Sequence, residues 1–316
     1  MAHDSFLTIL IPAYRAAATL PATLASVFAP LGQSEVNQNM EVIVVDDGSP
    51  DGMEIKRICE NFPRVQLLVL DHNMGKLSAV NAGAQRSRGD VVMILDADDT
   101  LVPDWPASLA RLLTEWPATA PVCYSACRNQ EGRTTVADPN YRGPLTLADL
   151  LNERNAGEYL PLIRGDVLRD TGYIPISGVA ACEALSYLSF AERGAFWVSP
   201  EVLRIYHEAR AGSLSSSWGE AAKAEQMVRC YEALFARFGD KYAALAPRVW
   251  STKRLRLAVY LMLAGRPGAW RMWWQAAAIS AWKETLGSFV ACALGRQFTM
   301  RLVAGLKRIG WVRRYG

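Results

Sequence analysis

The feature that most constrains this chain is the rhythm of its first 125 residues. Short runs rich in β-branched residues and Leu recur at residues 7–11, 41–45, 65–70, 91–95 and 122–124. Between the first four lie segments of helical character, among them residues 55–61 and 77–86. Near-continuous apolar runs of this length are strands buried on both faces, and their alternation with helices builds a parallel sheet covered on either side. In such sheets ligands bind outside the carboxyl ends of the strands. Those ends are legible: Pro12-Ala13-Tyr14 after the first run, Asp46-Asp47-Gly48-Ser49 after the second, Asp96-Ala97-Asp98-Asp99 after the fourth. One aromatic ring and five carboxylates converge on one edge.

From residue 126 to 159 the sequence turns polar and irregular, punctuated by Asp138-Pro139 and Arg142-Gly143-Pro144. A helix is expected over 182–193 and a strand over 196–198. Beyond Gly219 the pattern is helical, with Met227, Tyr231, Leu234, Phe235 and Phe238 on one stripe and Trp270, Trp273, Trp274, Ala277 and Ala281 on another. These shifts divide the chain into residues 1–215, in two halves (1–125 and 126–215), and a basic, Trp-rich helical region, 216–316.

Composition narrows the class. At 51% hydrophobic and 21% charged over 316 residues, the chain can bury a core and is no disordered scaffold. The net charge of +3 hides a polarity: residues 245–316 hold 13 of the 34 Lys/Arg but one of the 31 acids, Glu284. Such a block suits an anionic partner. Six cysteines without a CxxC pair read as free thiols in a reducing compartment. The longest uncharged stretch, 16–34, is broken by Pro21 and Pro30, so no membrane-spanning helix is expected, and no basic leader opens the chain.

Asp96 and Asp98 are two apart at a strand end, so an extended backbone sends both side chains from one face. Hard carboxylate oxygens suit Mg²⁺ or Mn²⁺, which complete their shell with substrate phosphates. An Asp-rich turn capping the following helix is the alternative. A dinucleotide-binding fold would need glycines after the first strand, and Pro12-Ala13-Tyr14-Arg15-Ala16 has none.

The blocks LTILIPAYRAAATL, EVIVVDDGSPDG and HNMGKLSAVNAGAQRSRGDVVMILDADD resemble, in order and spacing over about residues 5–210, the inverting family-2 glycosyltransferases with the GT-A fold. The resemblance implies a Rossmann-like, mostly parallel α/β sheet flanked by helices, with a C-terminal helical extension. It also implies transfer of a sugar from a nucleotide-diphosphate sugar to a saccharide or lipid-linked saccharide acceptor in cell-surface polysaccharide synthesis. By that resemblance Pro12 and Tyr14 lie at the nucleotide, Asp47 bonds the base with Asp46 bracing the turn, and Lys76 sits near the nucleotide. Asp96 takes the ribose or the metal's shell, and Asp98 ligates Mg²⁺ or Mn²⁺. A carboxylate only accepts, which favours the ring imide of uridine or thymidine.

Cys182-Glu183 falls where the family carries a Glu-Asp pair opening a helix that ends in Ala191-Glu192-Arg193-Gly194. Glu183 is thereby the expected base that takes a proton from the acceptor hydroxyl, with Asp166 and Asp170 as substitutes. Arg204 and His207 match a basic loop after the next strand, Arg204 toward the diphosphate and His207 as a further metal ligand. Residues 212–217 (GSLSSS) read either as a closing loop or as a linker.

Trp and Arg/Lys concentrated in the tail fit amphipathic helices on an anionic membrane surface. Their other reading is a helical subdomain or homodimer interface. Nucleic acid is not expected as a partner, since no binding motif is present and the front domain is acidic. The expected location is cytoplasmic, peripheral to the inner face of the membrane. Two other functions stand beside transfer: a haloacid-dehalogenase-like phosphatase using the DxDxT-type loop at Asp96, and a non-catalytic nucleotide-sugar-binding protein.

Overall fold

The structure, a computed structural model, describes residues 6–30, 39–180, 182–207, 221–277 and 282–308. Residues 212–217, the 215/216 boundary, Ala281, Trp311, Arg313 and Arg314 lie outside the described residues, as do the side chains of Trp282, Arg301, Lys307 and Arg308. The chain divides into two compact units. One is drawn from Met1–Leu150, Arg154–Pro175 and Glu183–Glu208, the other from Leu151–Glu153, Ile176–Cys182 and Ala209–Gly316.

The first unit is built on the expected strands β1 (Leu7–Ala13), β2 (Met40–Asp46), β3 (Val65–Val69) and β4 (Val91–Ile94), paired in parallel in the order β3-β2-β1-β4. Every residue of β1, β2 and β4 is buried, as strands covered on both faces require. Their alternate residues feed two cores. Ile9 and Ile11 pack with α1 (Leu20–Phe28), α2 (Gly52–Glu60) and α4 (Trp105–Glu115) through Leu24, Ile55 and Trp105. Leu10 and Val45 pack with α3 (Lys76–Arg86), α6 (Gly165–Thr171) and α7 (Glu183–Ala191) through Val80, Leu168 and Phe190.

Beyond β4 the sheet becomes mixed. It continues through β8 (Tyr159–Arg164), β6 (Val122–Asn129), β9 (Phe196–Tyr206) and β5 (Thr100–Leu101), with β7 (Gly143–Leu145) on β9. β8 runs antiparallel to both β4 and β6, while β6 and β9 pair in parallel across a bulge at Ser125–Cys127. The polar segment 126–159 therefore contains the end of β6, β7 and a short α5 (Leu147–Leu151). The strand read at 196–198 runs on to Tyr206, so Arg204 lies within β9 and not on a loop after it. The chain leaves β1 toward β2 and β3, then returns to β4 on the other flank of β1, which makes the β1/β4 carboxyl end the switch point.

The second unit is helical: α8 (Ala221–Leu245), α9 (Pro247–Ala264), α10 (Ala269–Ala277) and α11 (Trp282–Arg308), the last kinked at Gly295. Tyr231, Leu234 and Phe238 of the α8 stripe are buried, and Phe235 packs edge-on against Trp250 at 4.4 Å. The second stripe splits: Trp273 joins Leu255, Ala258, Ala276 and Cys292 in a core, whereas Trp270 and Trp274 are exposed. No described helix is long and apolar enough to cross a membrane, and the six cysteines are free thiols.

Candidate active site

At the carboxyl ends of β1 and β2 the backbone itself is specialised. Arg15 adopts a left-handed conformation (φ 53°) and donates its N–H to Ser49 Oγ at 3.1 Å. Asp46 Oδ1 accepts the Ser49 N–H at 3.0 Å. Gly48 also has a left-handed backbone (φ 63°), and a Cβ there would lie 2.5 Å from the carbonyl carbon of His72. Only glycine lets these two loops approach so closely. Asp47 then clamps them, accepting N–H bonds from Met74 at 2.7 Å and Gly75 at 2.8 Å. It is 2% exposed, and burial is the main cause of its raised pKa. Pro12 is buried in β1, while the Tyr14 ring is exposed beside the Arg15 guanidinium.

The clamp fixes the start of α3, and with it Lys76. The Lys76 ammonium bridges Asp96 Oδ1 and Glu183 Oε1, each at 2.7 Å. Three elements thus deliver one ion triad: α3, the chain beyond β4, and the first turn of α7. Burial by itself would lower the pKa of Lys76 and raise that of Asp96. The opposite charges outweigh it, raising Lys76 and lowering Asp96. Lys76, Asp96, Glu183, Glu158 and Arg204 line one cleft, with Tyr159, Tyr173 and Tyr187 on its wall. The Tyr173 and Tyr187 rings meet edge-on, their hydroxyls 3.4 Å apart.

Arg204 is 3% exposed and spends its charge inside the protein. It pairs with Asp99 at 3.0 Å and approaches Asp96 and Glu158 at 3.8 Å, while donating to Cys127 Sγ and the Tyr159 carbonyl. Asp99 is no helix cap, since α4 begins beyond Asp104; it accepts the His207 N–H at 2.8 Å. Burial pushes its carboxyl up to about 7 despite Arg204. Both ring nitrogens of His207 are engaged, Nε2 with Thr100 Oγ1 and Nδ1 with Gln130.

Asp98 stands apart from these pairs, exposed on the rim. Its pKa is raised, first by desolvation and then by the neighbouring Asp96 charge. Among the described residues no three His, Cys, Asp or Glu side chains converge as a ready-made cation cage. β4 ends at Ile94 and residues 97–98 form a turn, so Asp96 and Asp98 do not leave one face of an extended strand as the sequence suggests. Asp96 is held by Lys76, and Asp98 is the exposed carboxylate of the pair, in a setting where a magnesium-like ion needs only one or two carboxylates when a diphosphate supplies further oxygens.

The site brings together Lys76, Asp96, Glu183 and Arg204 as one cluster, with Tyr14, Asp46 and Asp47 at the adjoining strand ends. Asp166 and Asp170 do not line the cleft, and Asp170 faces Arg193 at 3.6 Å. Glu158, Tyr159 and Tyr173 escaped the sequence reading because no motif spacing marks residues 126–178, and Tyr187 because helical periodicity alone does not say which side of α7 faces the cleft. Only the antiparallel return of β8 carries Glu158 and Tyr159 to the cleft.

An open α/β sheet with an acid-lined cleft at its switch point is the architecture of a nucleotide-sugar transferase of the GT-A type. The glycosyl transferase family 2 model matches residues 8–167, and the chain belongs to that family. It is 40% identical over 94 residues to the undecaprenyl-phosphate 4-deoxy-4-formamido-L-arabinose transferase of Aeromonas hydrophila, covering 29% of this chain and 28% of that one. It is 38% identical over 97 residues to the succinoglycan biosynthesis protein ExoO of Rhizobium meliloti, covering 31% and 26%. The chain thus spans little more than a quarter of the length of these two curated relatives. Its fold matches S. aureus TarS 1-349 in complex with UDP-GlcNAc (TM-score 0.57, 16% identity, 98% of this chain and 94% of that chain). It also matches the mannosyltransferase PcManGT from Pyrobaculum calidifontis in complex with GDP-Man and Mn²⁺ (TM-score 0.57, 20% identity, 97% and 87%). Family membership displaces the phosphatase reading of Asp96.

Proposed function

We propose that this protein is an inverting glycosyltransferase moving a sugar from a nucleoside diphosphate sugar to a hydroxyl of a saccharide or lipid-linked saccharide, in cell-surface polysaccharide synthesis. The observation that carries the reading is the Lys76 bridge between Asp96 and Glu183 at the switch point. Glu183 is the general base. It takes the proton of the acceptor hydroxyl as that oxygen attacks the anomeric carbon and the diphosphate leaves with the electron pair of the broken C–O bond. Lys76 keeps Glu183 oriented and sets positive charge where the leaving group gathers negative charge. Glu158, whose pKa is raised mainly by burial, and the tyrosine wall would receive the acceptor.

Tyr14 offers an exposed face for the base, next to Pro12. The burial and backbone partners of Asp47 favour a positioning role for it and Asp46, holding residues 73–75 beside the nucleotide. Arg204 acts on the donor through Asp96, which it helps keep ionised. Asp98 with Asp96 would hold Mg²⁺ or Mn²⁺, which supplies charge neutralisation for the departing diphosphate. His207 would have to exchange Thr100 or Gln130 to join them. A lipid-linked acceptor would place the enzyme at the cytoplasmic face of a membrane, attached peripherally.

The test is a thermal-shift panel of UDP-, dTDP- and GDP-sugars with and without Mn²⁺. A donor at a hundredfold excess over its Kd should raise Tm by about 4 °C, with uridine or thymidine donors preferred and the shift Mn²⁺-dependent. No shift with any donor would overturn the proposal.

A further inference from the structure

Helix α11 is built inside out. Its inward positions are small and polar: Ser288 takes the Trp273 indole N–H at 3.0 Å, and Cys292 and Thr299 are buried with it. Its outward positions are large and apolar, with Leu286, Phe289, Leu294 and Phe298 all exposed. Leu286, Phe289 and Leu294 recur at i, i+3 and i+8, so they form one stripe on the solvent side before the Gly295 kink. Helix α10 adds Trp270 and Trp274, the latter 72% exposed. The Trp270 ring meets Phe289 at 5.8 Å, which joins the two helices into a single apolar face.

An exposed face of this kind on a folded unit marks an interaction surface. Its chemistry selects the partner. Trp at the margin of an aliphatic and aromatic stripe suits the boundary between headgroups and acyl chains. Arg271 is exposed between the two exposed tryptophans, and Lys283 is exposed one turn before Leu286. Arg266 is paired with Glu232 and Glu225, but residues 267–308 still hold six Lys/Arg against a single acid, Glu284, a basic composition that favours anionic headgroups. A partner protein surface would need its own apolar patch, whereas an anionic bilayer supplies both chemistries at once. No described helix is both long and apolar enough to span a bilayer, so the face would lie in the plane of the interface.

We infer that the α10–α11 face is a docking surface for anionic lipid bilayers, inserted to the depth of its Trp, Leu and Phe side chains. The inference is independent of the glycosyl-transfer reading, because none of these residues belongs to the cleft.

The full chain is mixed with vesicles of phosphatidylcholine containing 30% phosphatidylglycerol (a composition of about one anionic lipid in three). Co-sedimentation and tryptophan emission are followed. The expected result is binding with a blue-shifted emission, much weaker on pure phosphatidylcholine. A triple variant, Trp274→Ser with Phe289→Ser and Leu294→Ser, should lose at least tenfold in partitioning while its far-ultraviolet circular dichroism is unchanged. Arg271→Gln, which removes one charge near the surface, should lose about fivefold. Absence of binding to the anionic vesicles, or equal binding by the triple variant, overturns the inference. So does a stable dimer in sedimentation equilibrium that the same three substitutions dissociate, since the face would then be covered by a second copy. If the triple variant unfolds, Arg271→Gln and the salt dependence of binding by the unaltered chain decide the matter, because binding insensitive to both contradicts an anionic partner.

Discussion

Replacing Glu183 with Gln separates the chemical step from binding and from folding. The substitution is isosteric, and the amide oxygen can still accept from Lys76, which retains its 2.7 Å contact with Asp96. The ionic part of one bridge is lost. Glu183 is about one-third exposed, and solvent screening keeps such a pair in the range of about 1 kcal/mol or less. A chain of this size should then lose no more than about 4 °C in Tm. The donor cleft keeps its shape, so donor affinity should move by less than about threefold. The transition state loses its proton acceptor, and general bases contribute roughly 10²–10⁴ in rate, or about 3–5 kcal/mol. Expected, therefore, is a fall in kcat of a hundredfold or more at nearly constant KM for the donor. The assay is release of nucleoside diphosphate from the donor identified by thermal shift, followed with and without acceptor, beside a melting curve of each protein. Turnover within tenfold of the unaltered enzyme would remove Glu183 from the mechanism. If the unaltered protein binds donors yet never turns over, the non-catalytic reading takes its place.

Asp98→Asn should leave Tm nearly unchanged in the free protein, because the side chain is exposed, but abolish the extra stabilisation that Mn²⁺ gives to nucleotide binding; a retained Mn²⁺ effect in the thermal-shift assay would refute the metal assignment. Gly48→Ala pushes a methyl group to within 2.5–2.8 Å of the His72 and Asn73 backbone at a left-handed φ. It should cost about 2 kcal/mol or more and weaken donor binding through the 73–75 loop, as read by urea melts and donor titration. Glu41 is buried and accepts from Thr8, Gln66 and Arg88. Burial opposes its ionisation, but these bonds win and hold its pKa below the ordinary 4.5. The folded state therefore binds fewer protons than the unfolded chain, and Glu41 stabilises above about pH 4.5 and loses that contribution as pH falls through its lowered folded value. Urea melts should show Glu41→Gln less stable by about 1–3 kcal/mol at pH 7, with the gap narrowing toward pH 3; a gap independent of pH would contradict the assignment.

Much of this protein is written locally. The runs that became β1 to β4 are nearly continuous in Val, Ile and Leu because both faces of each strand are covered, and a pattern set by burial on two sides survives without any knowledge of neighbours. The acidic strand ends follow from the same reading, since a parallel sheet delivers every one of its carboxyl ends to one edge. Asp96 was legible in this way, and Lys76 and Glu183 through the resemblance to family 2, each as a separate mark. That one ammonium holds both carboxylates was not, because their meeting depends on how α3, the β4 end and α7 are placed on the sheet.

The remainder belongs to tertiary structure. β8 is a six-residue strand between polar segments, and it forms because β4 and β6 leave an antiparallel slot that its backbone fills on both sides. Arg204 reads as a basic loop residue, yet β9 runs past residue 198 and buries its guanidinium among Asp99, Asp96 and Glu158. Likewise, the stripe of tryptophans in the tail was visible in the sequence, but periodicity cannot say which side of a helix meets protein. Only the packing of Trp273 against Ser288 and Cys292 turned Trp274, Phe289 and Leu294 outward. Sequence fixes what each segment can bury; the choice of which groups face each other rests on contacts between residues far apart in the chain, and those exist only once the sheet and helices have closed around them.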